Sequence, residues 1–321
     1  MGAMHLTSST QTPRLRARSG MTLVEMMVVT ILLAIVGGTV MQVLARQQQF
    51  YRSTADVIDL RSQMRQGAAV LASDLRGVSS SGGDIVSMGE SSIEFYANIG
   101  SSIVCSTVNT TTVILPPLTL TNGTVLSTWI SRPARDDSVF IYSDPDTTDS
   151  GDDGWERFAL DTVIAENAAC NTTYTQPADN GTPSYRLRIN SSGPSMSSSI
   201  RRGATIRLTR RVKYQLYQSG TDGRWYLGYC SPTCTTTNPI QPIAGPFNPV
   251  VSGSGTSGIR FTYFDVNGSA IAGNTAADRA SVARISFVLR GQSRGQINVA
   301  GMGKGYYSDS LRTDVALRNR S

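Results

Sequence analysis

The sequence is nearly without histidine. Its 321 residues hold one, His5, and only two lysines, Lys213 and Lys304. A single histidine beside the N-terminus excludes Ser-His-Asp and Cys-His nucleophilic chemistry in the body of the chain, and with it imidazole proton shuttling and multi-histidine metal sites. Charge is scarce as well. Asp, Glu, Lys and Arg make up 16% of the chain, against roughly 25% in an average soluble domain. Ser, Thr, Gly and Asn fill the deficit, as suits a β-rich exported protein. No Gly-rich loop follows a strand pattern and opens a helix, so there is no sequence case for a phosphate-cradling nucleotide site. These absences point away from an enzyme.

What is present begins with a long apolar run. Residues 1–20 carry Arg14, Arg16 and Arg18 and no acid. From Met26 to Ala45 there are 20 residues without a formal charge, roughly 30 Å of helix at 1.5 Å per residue, which is the thickness of a bilayer's hydrocarbon core. Arginines precede the run and the next one is Arg46, so the positive-inside rule keeps the N-terminus in the cytoplasm and exports the rest. The run is longer than the ~7–15 residues of a secretory signal peptide, and no small-x-small cleavage site ends it. Glu25 is the anomaly. It is a lone acid beside the apolar segment with no base on its helix face, and an ionisable group at membrane depth costs at least ~2.5 kcal/mol. Cleavage between Gly20 and Met21 would create an α-amine able to pair with the Glu25 of a neighbouring chain.

Ser-Gly-Met-Thr-Leu-Val-Glu (residues 19–25), after a short basic leader and before about twenty apolar residues, resembles the class III signal of type IV prepilins and type II secretion pseudopilins. The resemblance implies that a membrane-embedded prepilin peptidase cuts after Gly20 and methylates the new N-terminus at Met21. Met21 stands where the family most often has phenylalanine. Removing the leader's three arginines lowers the formal charge from +6 to +3.

Beyond Arg46, apolar residues recur at Val57, Leu60, Met64, Ala68, Leu71 and Leu75. Steps of 3 and 4 mark one face of a helix. Gly77 and the following SSSGG run end it. The predicted helix therefore spans about Thr22 to Arg76, apolar all round in its first half and striped in its second. Gly37 and Gly38 lie together in the membrane half, as a close-packing surface or as a weak point in the helix.

After Asp84 the pattern changes to short alternating runs: 92–98, 111–115, 138–142, 185–190, 204–209, 212–217, 224–229, 259–266 and 282–289 read as strands. The expected fold class is α+β, a long N-terminal helix packed on an antiparallel β-sheet with long loop insertions, chiefly residues 116–183 and 230–256. The expected organisation is a cleaved leader over 1–20, a transmembrane or filament-core helix over 21–45, an amphipathic continuation over 46–77 and an exported β-rich domain over 78–321. The order of elements, QMRQGAAVLASDLR, VKYQLY, GRWYLGY, FTYFD, VARISFVLR and VALRN, resembles PilW-type minor pilins and, more distantly, J-type minor pseudopilins.

Cys105, Cys170, Cys230 and Cys234 all fall in the exported part, so disulfides are expected. Of three possible pairings, a local clip Cys230–Cys234 is favoured, leaving Cys105–Cys170. Asp144, Asp146, Asp149, Asp152 and Asp153 put five carboxylates in ten residues. That makes either a solvated acidic loop or a calcium site, the one cofactor considered. Arg201, Arg202, Arg207, Arg210, Arg211 and Lys213, followed by Tyr214 and Tyr217, form a basic run. It is read as strand-edge protection or a contact with acidic neighbours rather than a nucleic-acid surface.

The resemblance implies a minor pilin in the initiation or tip complex of a type IV pilus. Its partners would be major and minor pilins, the prepilin peptidase and the inner-membrane assembly platform. It would be a single-pass inner-membrane protein with a periplasmic C-terminal domain before entering the filament. A pseudopilin of type II secretion, or a DNA-uptake or adhesive module on the same anchor, is the alternative.

Overall fold

The computed structural model describes residues 20–149, 151–166, 170, 174–179, 182–231, 234–251, 253, 255–299 and 303–317. The leader, residues 1–19, lies outside them. The first element, α1, runs Leu23–Arg76 without interruption, ending where Gly77 was expected to end it. The chain divides into two compact units, one through Thr54 and one from Ala55. The first is the N-terminal half of α1.

The second unit holds the rest of α1, fifteen described strands and a short helix. In chain order the strands are β1 (Ile85–Met88), β2 (Ser92–Ile103), β3 (Ser106–Asn109), β4 (Thr112–Leu115), β5 (Thr128–Trp129), β6 (Ser138–Ser143), β7 (Gly154–Glu166), β8 (Ser184–Ile189), β9 (Thr205–Gln218), β10 (Trp225–Cys230), β11 (Gln241–Phe247), β12 (Ile259–Phe264), β13 (Ala270–Ile271), β14 (Arg284–Val299) and β15 (Gly303–Ala316). The short helix α2 (Ala276–Ser281) is opened by a capping box in which Thr275 and Asp278 satisfy each other's backbone N–H.

The pairings among these strands are all antiparallel, so the α+β class is as expected. Three details differ. There are two sheets: one of eleven strands ordered along β1-β2-β9-β6-β7-β8-β4-β3 with β10, β11 and β5 branching from it, and one of four ordered β13-β12-β14-β15. The runs at 204–209 and 212–217 are one strand, β9, because Arg210 and Arg211 between them continue the ladder to Ala97 and Tyr96 of β2. The region 116–183 is not an insertion outside the sheet. Its β6 pairs with β9 and its β7 bridges β6 to β8.

Two apolar cores follow from this layout. In the first, Leu60, Met64, Ala68, Leu71, Ala72 and Leu75 of α1 pack with Ile93 and Phe95 of β2, Val212 and Tyr214 of β9, and Ile285, Phe287 and Leu289 of β14. The helix stripe is thus covered by both sheets at once. Gly67 shows how closely. A Cβ there would stand 3.1 Å from Ala244 on β11, 3.4 Å from Leu227 on β10 and 3.5 Å from Leu289 on β14. The second core lies wholly among sheet and loop residues, including Val113, Leu115, Val139, Ile141, Phe158, Leu160, Leu187 and Ile189. Strand β9 serves both, with Ile206 and Leu208 in the second and Val212, Tyr214 and Leu216 in the first.

Leu71 is fully buried at the centre of the first core. Leu71→Ala is expected to destabilise the folded chain by about 2–5 kcal/mol through lost burial and a residual cavity, read from urea unfolding of the full chain in detergent micelles. Replacing the exposed Ile58 on the same helix should change stability by no more than about 0.5 kcal/mol.

Candidate functional site

In the first unit the apolar residues face no protein. Among the described residues α1 is the one helix long and apolar enough to cross a membrane, and its apolar window has no buried residue. The two threonine hydroxyls of the apolar run, Met26 to Ala45, are satisfied internally. Thr30 Oγ1 donates to the carbonyls of Met26 and Met27, and Thr39 Oγ1 to that of Val36, so neither needs water. Gly20 and Met21 are exposed just ahead of the helix. Glu25 occupies its first turn, and its N–H donates to Thr22 Oγ1 at 3.3 Å. Thr22 therefore caps the helix, and Glu25 is a negative charge at the positive end of the helix dipole. Among the described residues Glu25 makes no ion pair. The Thr-x-x-Glu spacing at 22–25 is a capping signal that the sequence carries beside the charge of Glu25.

In the second unit, β9 grips the C-terminal end of α1 through two side chains. Tyr214 O–H donates to Asp74 Oδ2 at 2.5 Å, beneath the stacked ring of Phe95. Burial raises the Asp74 pKa, with the tyrosine hydrogen bond opposing. Arg207 bonds Asp84 Oδ2 at 2.6 Å, with the Asp84 side chain fully buried, and reaches the Gly77 carbonyl at 3.5 Å. Its guanidinium lies over the rings of Phe140 and Trp155. Asp84 Oδ2 also accepts from Ser79 N–H at 2.7 Å. Burial raises the Asp84 pKa, and the Arg207 charge works against that rise. A cation at the negative end of a helix and a carboxylate holding the loop beyond it fix where α1 ends.

Three of the six residues of the basic run are neutralised in place. Arg207 pairs with Asp84, Arg210 with Asp137 at 2.7 Å and Arg211 with Glu94 at 2.7 Å. A groove of about 410 Å³ runs past the Arg210–Asp137 pair, bordered by Arg135, Asp136, Tyr229 and Ser231. The charges were legible in the sequence, but their partners lie more than seventy residues away. The five aspartates are not brought together either. Asp146 accepts from Thr148, Asp149 from Gly151 N–H, Asp152 from Asp146 N–H, and Tyr142 from β6 donates to Asp153, which lifts the tyrosine pKa to about 12. Among the described residues no group of three or more His, Cys, Asp or Glu side chains converges as metal ligands would. Asp146, Asp149 and Asp152 instead hold N–H groups of their own loop.

The cysteines form the expected pairs, Cys105–Cys170 and Cys230–Cys234. The first staples β3's lead-in to the segment after β7, and the second closes the turn after β10. Comparison with family models, characterised proteins and solved structures finds no match to this chain.

Two measurements follow. Cross-links 65 and 4 residues apart in sequence constrain the unfolded chain unequally, by roughly 4 and 2 kcal/mol on a loop-entropy model. Serine replacement of Cys105 and Cys170 is therefore expected to cost about twice as much as that of Cys230 and Cys234, in parallel unfolding curves. Asp74, with its folded-state pKa raised, favours folding fully below its ordinary value of 3.8 and loses that contribution as pH climbs through the raised value. Asp74→Asn keeps an acceptor for Tyr214 and never charges. Its stability relative to the parent should rise with pH from near 4 and then level off, in urea titrations between pH 4 and 8. A relative stability that falls with pH would contradict this account.

Proposed function

We propose that this protein is a pilin-like subunit, a minor pilin of a type IV pilus, that works by non-covalent packing. It is made as a single-pass inner-membrane precursor with its N-terminus in the cytoplasm and its β-domain outside. The observation that carries this reading is the arrangement around Glu25. A junction at Gly20–Met21 opens directly onto an exposed, unbroken apolar helix in which Glu25 is the one ionisable group before Arg46. The other half of that helix is locked into a folded domain.

Cleavage after Gly20 removes the basic leader and frees the Met21 α-amine. In a bundle of apolar helices the Glu25 carboxylate of one subunit meets the α-amine of the next. The pairing offsets the ~2.5 kcal/mol or more that a carboxylate costs within a membrane and sets the axial register between subunits. The grip of β9 on the end of α1 lets a force on the helix act on the domain as one body. The partners are then other major and minor pilins, the prepilin peptidase and the inner-membrane assembly platform. The ion pairing of Arg207, Arg210 and Arg211 within the domain favours this structural role over nucleic-acid binding.

Mass spectrometry of the protein from its native host is expected to show a mature chain beginning at a methylated Met21. Glu25→Ala should insert into the membrane at parental levels and yet lower assembled filaments at least tenfold. Native protein that still begins at Met1, or normal assembly of the alanine variant, would overturn the proposal.

A further inference from the structure

Strand β15 is the outer strand of the four-stranded sheet, paired on one side with β14 and, among the described residues, with nothing on the other. It is long, 14 residues, and ends near the C-terminus. Its two sets of backbone groups are distinguishable. Tyr307 N–H donates toward β14, to Ser293 Oγ at 3.0 Å, whereas Ser310 N–H donates to the carboxylate of its own neighbour Asp309 at 2.8 Å. By the alternation of an antiparallel ladder, odd-numbered residues therefore bond inward and even-numbered ones present their N–H and C=O groups to the open edge. The even side chains, from Lys304 to Ala316, are all exposed, and the odd ones from Gly305 to Val315 are half-buried or buried.

Open edges are normally blunted by proline, bulges or charged side chains. Between Lys304 and Asp314 this one has no proline, a register irregularity where Tyr306 and Ser308 face β14, and balanced charges, Lys304 and Arg312 against Asp309 and Asp314, with Asp314 already beside Arg284 and Arg312 of its own chain. That balance has a pattern. When two copies of β15 are laid antiparallel about a twofold axis through residue 309, Lys304 of each falls opposite Asp314 of the other. Tyr306 then falls opposite Arg312, and Ser308 opposite Ser310. An ion pair, a cation–aromatic pair and a hydroxyl pair are each repeated twice by the symmetry. Shifting one residue of the pair sum down by two sets Lys304 against Arg312. On the inner face the two Asp309 side chains meet at the axis, each already held by its own Arg61 at 2.9 Å.

We infer that β15 is a self-association edge, through which a second copy of this chain adds antiparallel and in the register centred on residue 309. Ser310 N–H then exchanges Asp309 for the Ser308 carbonyl of the second copy. The inference uses nothing of the N-terminal segment, so it stands or falls separately from the pilin reading.

The test is oxidative cross-linking of the full chain in detergent micelles, where the native cysteines are all in disulfides. Ser308→Cys mixed with Ser310→Cys should give a disulfide-linked dimer at least ten times faster than either variant alone. Ser310→Pro, which removes an outward N–H and no bond to β14, should abolish cross-linking between Lys304→Cys and Asp314→Cys chains while leaving the unfolding curve in place. In sedimentation, Lys304→Asp and Asp314→Lys should each weaken the dimer about tenfold, and the double exchange should restore it. A monomer at every concentration, cross-linking no faster in the mixture, or dimers indifferent to the proline and to both charge reversals would overturn the inference.

Discussion

A helix with an apolar stripe must be covered on that stripe, and the rest of this molecule is organised around meeting that requirement twice over. From Leu60 to Leu75 the stripe of α1 is buried by residues of both sheets, and Gly67 lets Ala244, Leu227 and Leu289 approach within van der Waals distance. A single sheet covers one line of side chains. Two sheets meeting over the helix cover a broader face, which is why Ala68 and Ala72 are buried beside Leu71 and Leu75.

Polar contacts then settle the axial position that apolar burial leaves loose. Tyr214 and Arg207 reach from one strand to Asp74, Gly77 and Asp84 at the end of the helix. Both carboxylates are raised in pKa by burial, so the attachment is made of groups that are costly unless partnered. Removing Arg207 would leave Asp84 buried with the Ser79 N–H and the weaker pull of Arg157. The grip is specific because its failure is expensive.

Much of this was legible in the residues. The 3,4 spacing from Val57 to Leu75 located the buried face, and Gly77 the end of the helix. The alternating runs located eight of the fifteen described strands, β2, β4, β6, β8, β9, β10, β12 and β14, because a half-buried strand must alternate, and did not include β1, β3, β5, β7, β11, β13 or β15. Less was legible where one signal served two purposes. The arginines at 207, 210 and 211 were expected to protect a strand edge or meet acidic neighbours, and each has an acid of this chain beside it, but which acid could not be read from spacing. The aspartates at 144–153 have the chemistry of calcium ligands, and spacing could not show that Asp146, Asp149 and Asp152 accept from N–H groups of their own loop. Spacing in sequence reports which side chains are near one another along the chain, and says nothing of what a distant strand delivers. The functional reading of Gly20, Met21 and Glu25 stands apart, since it rests on a local pattern and on what an exposed apolar helix demands.

By itself the sequence determined the class of the fold, the ends of the long helix and the membrane-length apolar run, because each depends on periodicity or local composition. Only the tertiary structure decided that there are two sheets and two cores, that 204–217 is one strand serving both, that Cys105 meets Cys170, and that Arg207, Arg210 and Arg211 are paired with acids of the domain. It also decided that β15 is an open edge. Those outcomes depend on pairings between residues tens to hundreds of positions apart, and their free energy comes from burial and charge neutralisation that exist only once the chain has closed on itself.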